Sequence, residues 1–225
     1  PHKGFETVTI AYKGSVAHHD SAGNSGVIKP GDVQWMTAGA GILHKEYHEE
    51  RFSKTGGPFE MVQLWVNLPK KDKSAKPHYQ AITAMQMGKV QLPGNQGLVN
   101  VIAGNFNRIV GPAATYSPVN LFDIKLNKDG SLTTSIPASH NTALLVINGS
   151  IVVNGEKAPE HSFVLFNNEG EEIEIKAVEN SVILLLSGEP IQEPIASYGP
   201  FVMNTQEEIH EAMQEFQSGK YGTLH

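Results

Sequence analysis

Cysteine is absent from this 225-residue chain. Its absence excludes a disulfide framework, a thiolate zinc site, an iron–sulfur cluster and a cysteine nucleophile. No apolar run approaches the roughly 18 residues that a helical membrane span needs, so no such span is expected. Charge of one sign is also scarce: 17 Lys+Arg stand against 23 Asp+Glu, a formal net of −6. With no basic helix in view, that balance argues against direct binding to nucleic acid or to an anionic membrane. A cysteine-free chain suits a reducing compartment, and the cytoplasm is the expected location.

What the chain does contain is unevenly spread. Residues 1–100 hold 11 Lys+Arg and 8 Asp+Glu, a net of +3, which leaves 6 and 15, a net of −9, for residues 101–225. Histidine leans the other way, with five of ten in the first 48 residues: His2, His18, His19, His44 and His48. Imidazole concentrated in a chain without thiols points to an oxygen/nitrogen metal site or to acid–base chemistry. His18, His19 and His48 have a plainer reading as surface histidines.

Short β-branched and aromatic segments separated by turn chemistry dominate the sequence. Strands are expected at 7–12, 15–19, 33–36, 42–48 and 61–68, and then at 99–103, 121–126, 142–147, 150–153, 162–166, 172–175 and 181–187. Ala22-Gly23-Asn24, Pro30-Gly31-Asp32 and Gly56-Gly57-Pro58 mark turns, and a lysine-rich stretch over 69–77 reads as a surface connection. Asn148-Gly149 between apolar runs predicts a tight hairpin. Near the end, Thr205 and Glu208 form a capping-box pattern ahead of Ile209, Ala212, Met213 and Phe216, with Gly219 as a stop. A helix over about 205–218 follows, its apolar stripe packed on a sheet.

An internal repeat organises the whole. Thr7-Val-Thr-Ile-Ala-Tyr-Lys-Gly14-Ser15-Val16 aligns with Thr142-Ala-Leu-Leu-Val-Ile-Asn-Gly149-Ser150-Ile151 at an offset of 135. Duplication of one β-domain is the reading, with domains at 1–78 and 79–225 and the terminal helix in the second. In Ile42-Leu43-His44-Lys45-Glu46, the His and Glu stand two apart, so a strand places both on one face where they can converge on an ion. His2 and Glu6 share a parity if residues 2–6 are extended. An imidazole-plus-carboxylate set suits iron(II), manganese, nickel or zinc.

Three segments carry a resemblance: Pro1-His-Lys-Gly-Phe-Glu-Thr-Val8, Pro30-Gly-Asp-Val-Gln-Trp-Met-Thr-Ala-Gly39 and Gly41-Ile-Leu-His-Lys-Glu46. With Gln63-Leu-Trp-Val-Asn-Leu68 and Gly199-Pro-Phe-Val-Met-Asn-Thr205, they closely resemble the pirin family of the cupin superfamily. The resemblance implies an all-β bicupin: two tandem jelly-roll barrels with a C-terminal helix and a mononuclear Fe(2+) site in the first barrel. It implies His2, His44 and Glu46 as ligands, with a further histidine directly ahead of Pro1, outside the sequence. The first barrel is accordingly expected to lack its leading edge. Glu6 is placed behind the ligands, orienting a histidine.

Shifted by 135, the second domain has Pro137 at the position of His2, Ser135 at that of the outlying histidine and Asn141 at that of Glu6. Proline cannot ligate, so the second barrel is expected to hold no metal. His140 and His161 read as unpatterned surface or core residues. The resemblance further implies a quercetin 2,3-dioxygenase, which opens the flavonol heterocycle with O2 and releases carbon monoxide. In that reaction Glu46 is the candidate general base. The alternative is a redox-responsive module that binds a regulatory protein partner in transcription, its metal acting as a switch rather than a catalyst.

Overall fold

Residues 1–85 together with 191–224 form one compact unit, and residues 86–190 form a second. The structure is a computed structural model and describes residues 1–224. The first unit contains β1 (Phe5–Lys13), β2 (Val16–Asp20), β3 (Ser25–Ile28), β4 (Val33–Thr37), β5 (His44–His48), a short helix α1 (Glu50–Thr55), β6 (Glu60–Asn67) and β7 (His78–Ile82). These build a four-stranded sheet ordered β6-β1-β4-β7 and a three-stranded sheet ordered β3-β2-β5. The central strand β1 reads Phe-Glu-Thr-Val-Thr-Ile-Ala and is buried on both faces, as its β-branched composition favours.

The second unit contains β8 (Gly88–Gln91), β9 (Gly97–Ala103), β10 (Asn105–Phe106), β11 (Ile109–Val110), β12 (Val119–Leu126) and β13 (Ser131–Ser135). It continues with β14 (Asn141–Asn148), β15 (Ile151–Val153), β16 (Glu156–Ala158), β17 (Phe163–Leu165), β18 (Glu172–Ala177) and β19 (Ser181–Gly188). A six-stranded sheet, β17-β14-β19-β12-β9-β8, faces a four-stranded one, β13-β18-β15-β16. Leu132, Ile151, Val153, Ile173 and Ile175 from one sheet close on Val99, Phe122, Leu144, Val146 and Leu185 from the other in a single apolar core. Burial of that surface, at about 25 cal/mol per Å², is what holds this unit together.

Hydrogen-bond register bears out the duplication. Thr9 of β1 stands opposite Gln34 of β4 and Gln63 of β6. Leu144 of β14 stands opposite Val164 of β17 and Leu185 of β19. His18 of β2 faces Glu46 of β5, and Val153 of β15 faces Ile175 of β18. The pairs β1–β4, β1–β6 and β2–β5 thus have counterparts in β14–β17, β14–β19 and β15–β18.

Two expectations are corrected. Asn148-Gly149 is no hairpin: β14 pairs with β17 and β19, whereas β15 pairs with β16 and β18, so the turn carries the chain from one sheet to the other. Gly149 is required there because its φ is +81 and a Cβ would lie 2.5 Å from the Asn180 carbonyl oxygen. The terminal helix belongs to the first unit, not the second, and that unit extends past 78 because β7 pairs with β4.

The unit is completed by β20 (Ala196–Tyr198), β21 (Phe201–Met203) and α2 (Gln206–Gln217). The capping box forms as expected, with the Glu208 amide donating to Thr205 Oγ1 at 3.2 Å and Glu208 Oε2 accepting from the Asn204 and Thr205 amides. Ile209 and Ala212 bury against Ala196, Phe201, Met203 and Tyr221, and partly buried Leu43 joins this cluster. A local pattern cannot say which sheet receives an apolar stripe, and here the receiving surface is built beside Leu43, next to His44. No helix among the described residues is long and apolar enough to cross a membrane.

Candidate metal centre

The first unit's inter-sheet space is polar and aromatic where the second unit's is apolar. His2 enters it through a two-way backbone bridge with Ile42, the His2 amide donating to the Ile42 carbonyl at 2.9 Å and the reverse bond at 3.0 Å. This bridge sets His2 beside His44, the first residue of β5, and their ring centroids lie 4.7 Å apart. His18 extends the cluster, 5.6 Å from His44 and stacked on Tyr79 at 4.8 Å. The reading of His18 as a surface residue is therefore wrong, since it is fully buried. Strand alternation turns His18 inward, whereas exposed His19 turns outward to Tyr47.

Electrostatics keep the two central rings neutral. Burial, and then the neighbouring His44, push His2 down to about 4. Burial, and then the neighbouring His18, push His44 down to about 4. An imidazolium in this pocket would lose its hydration and face a like charge. The Nδ1 atoms of His2, His18 and His44 are all buried without a hydrogen-bond partner. The opposite nitrogen of His18 lies 3.1 Å from Asp20 Oδ2, and Asp20 is itself fixed by the Ala22 and Asn24 amides. Burial also drives the Tyr79 phenol up to about 12, so it remains a proton donor at neutral pH.

Glu46 projects from β5 toward the opposite sheet. Its Oε1 accepts from Gln34 Nε2 at 2.6 Å and from Thr9 Oγ1 at 2.9 Å, and its Oε2 accepts from Gln63 Nε2 at 2.6 Å. At the mouth of the space Trp65 is half exposed, packed edge-on against His2 at 5.6 Å and over Phe5 at 4.3 Å. Neutral rings with orphaned buried nitrogens fit a borderline divalent metal. The structure brings His2 and His44 together. It does not bring Glu46 into one group with them: among the described residues, no three His, Asp or Glu side chains are placed to hold an ion.

Glu6 does not support the imidazoles. It is buried, accepts from Thr37 Oγ1 at 2.6 Å, and burial raises its pKa. Gly4, at φ +85, breaks the extended run between His2 and β1, so their shared parity is lost. Within β1 the site face belongs to Phe5 and Thr9, and alternation sends Glu6 to the other face. Thr9, Gln34, Gln63, His18 and Asp20 were not singled out from the sequence as site residues. Their counterparts in the second unit, Val164 for Gln34 and Leu185 for Gln63, emerge only from strand pairing, so the sequence carried no signal for them.

In the second unit the positions of His18, His44 and Glu46 hold Val153, Ile173 and Ile175, and all three lie in the apolar core. Where Phe5 stacks on Trp65, the second unit has His140 bonded to Ser187 Oγ at 2.9 Å. His161 is an exposed turn residue at φ +64.

A duplicated pair of double-sheet β-barrels, with imidazoles and a carboxylate inside only the first, defines a bicupin. The model of the pirin family matches residues 1–66, and that of the pirin C-terminal cupin domain matches residues 121–222. The chain is 48% identical over 225 residues to a Pseudomonas aeruginosa protein provisionally named quercetin 2,3-dioxygenase, covering 100% of this chain and 79% of that one. It is 37% identical to human pirin over 231 residues, covering 99% and 76%. A crystal structure titled quercetin 2,3-dioxygenase from Acinetobacter baumannii superposes with a TM-score of 0.95 at 47% identity, covering 100% and 78%. The nickel(II) complex of the Escherichia coli bacterial pirin YhhW gives 0.68 at 25%, covering 84% and 74%. The chain belongs to the pirin family.

Proposed function

We propose that this chain is a metal-dependent dioxygenase of the cytoplasm that acts with O2 on flavonols such as quercetin. One ion per chain, Fe(2+) in the first instance, would be held by His2 and His44 with Glu46 as the carboxylate of the set. The observation that carries this reading is the neutral His2–His44 pair, 4.7 Å apart with buried, unpartnered Nδ1 atoms, in a barrel whose twin is filled with aliphatic side chains. The names of the Pseudomonas and Acinetobacter relatives support the flavonol assignment, and the nickel in the E. coli pirin supports a metal.

A bound divalent ion would supply Lewis acidity toward a substrate hydroxyl and the redox partner that O2 requires. The protein supplies the rest. Phe5 and the half-exposed Trp65 offer a flat apolar wall at the mouth, suited to a planar aromatic substrate. Glu46 Oε2, which accepts from Gln63, is the candidate acceptor for a hydroxyl proton. Buried His18, held by Asp20, packs against His44.

The test is metal analysis together with an oxygen electrode. Wild-type protein should carry one ion per chain and consume O2 with quercetin, and His44→Ala should lose both. Metal bound without turnover would favour the second reading, an iron-dependent module for a regulatory protein partner, for which kinship with proteins named pirin is the support. No metal uptake even with the residues ahead of Pro1 restored would sink both readings.

A further inference from the structure

We propose that Thr9, Gln34 and Gln63 are positioning residues that clamp the Glu46 carboxylate and leave it one open acceptor position, on Oε2. The proposal rests on the reading of this pocket as a metal site and adds what Glu46 is able to do there.

Three donors from three strands of one sheet converge on a carboxylate from the other sheet. Gln34 Nε2 and Thr9 Oγ1 both donate to Oε1, at 2.6 and 2.9 Å, and Gln63 Nε2 donates to Oε2 at 2.6 Å. The amide contacts are short, as charge-assisted hydrogen bonds are. Gln63 also reaches Thr9 Oγ1 at 3.1 Å, which ties two of the donors to each other. Gln34 is fully buried, and Tyr79 donates to its Oε1 at 3.3 Å, which fixes the amide with its nitrogen toward Glu46.

A carboxylate has about four acceptor positions, two on each oxygen. Oε1 is filled and Oε2 keeps one. Glu46 therefore serves a metal through a single oxygen or takes one hydroxyl proton, and bidentate chelation would require displacing Gln34 or Thr9 from Oε1. The duplication shows that the clamp travels with the carboxylate. The counterparts of Thr9, Gln34, Gln63 and Glu46 are Leu144, Val164, Leu185 and Ile175, so the second unit lacks all four polar groups together. Glutamines needed only to hold the sheets would have had no reason to disappear with the acid.

Two measurements on the full chain test this. In side-chain amide NMR spectra of the metal-free protein, Glu46→Ala should move the Gln34 and Gln63 NH2 resonances. In calorimetric titrations with nickel(II), Gln34→Leu and Gln63→Leu should each weaken binding about tenfold, typical for partners that orient a ligand. Neither should weaken it further in the Glu46→Ala background. Gln63, at the mouth, is the variant to rely on if Gln34→Leu fails to fold. Unmoved amide resonances, or glutamine effects that persist in full without Glu46, would overturn the proposal. Amides that respond in a wild-type protein binding no nickel would uphold the clamp and reject the metal reading instead.

Discussion

Acid should destabilise the metal-free first unit through its imidazole pair. His2 and His44 both sit near pKa 4 in the folded chain, against 6.5 when free. Below 6.5 the unfolded chain binds the protons more readily, so the pair's contribution is fully present above that value and is lost as pH falls toward 4. Linkage gives about 2 kcal/mol for each ring between pH 7 and pH 5. Part of the depression comes from neighbouring imidazoles and is shared, so about 3 kcal/mol is expected for the two. The assay is built into the chain, because its two tryptophans, Trp35 and Trp65, both lie in the first unit. Urea unfolding followed by tryptophan fluorescence at pH 7 and pH 5 should show that loss in wild type but not in the His2→Gln/His44→Gln double variant. If both proteins lose stability equally, to within about 0.5 kcal/mol, the rings are not held neutral by their surroundings and the reasoning fails.

Other consequences are open to the same kind of measurement. Lys73 is buried, with its Nζ donating to the Gly4 and Val202 carbonyls and to Asn67 Oδ1 at 2.7–2.9 Å. Lys73→Met should cost about 3 kcal/mol or more by tryptophan-monitored unfolding, because three acceptors lose one charged donor. The exposed Lys70→Met should change stability by less than about 0.5 kcal/mol. In the second unit, Ile175→Glu restores the acid of the first unit without its donors. Calorimetry should then show a loss of several kcal/mol, of the order expected for an unpaired buried carboxylate, with no gain in metal binding.

Much of the fold was legible because β-branched and aromatic segments bounded by turn residues carry it. All twelve expected strands occur, among them β1, β4, β12, β14 and β19. Nine strands among the described residues escaped, and most are short, polar or glycine-bearing: β3 is Ser-Gly-Val-Ile, β10 and β11 have two residues each, and β16 is Glu-Lys-Ala. Such segments owe their conformation to pairing partners distant in sequence, not to local preference. The same holds for α2, whose cap and stripe were readable while its docking surface was not.

At the site, His44 and Glu46 were readable as a same-face pair on a strand. Yet the structure turns Glu46 to the donors of the opposite sheet and groups His44 with His2 and His18. Gln34, Gln63 and Thr9 are ordinary strand residues whose role appears only when two sheets face each other. Glu6 shows the converse. A parity argument holds only while the backbone stays extended, and a single left-handed glycine at position 4 cancels it.

On the proposed function the first barrel, and not its twin, holds a metal between His2 and His44. Anomalous diffraction at the metal edge, on crystals of the full chain grown with iron(II) or nickel(II), tests it most directly. One peak per chain is expected, within bonding distance of imidazole nitrogens of His2 and His44 and lost in His44→Ala. A peak elsewhere, or none at that position, would contradict it.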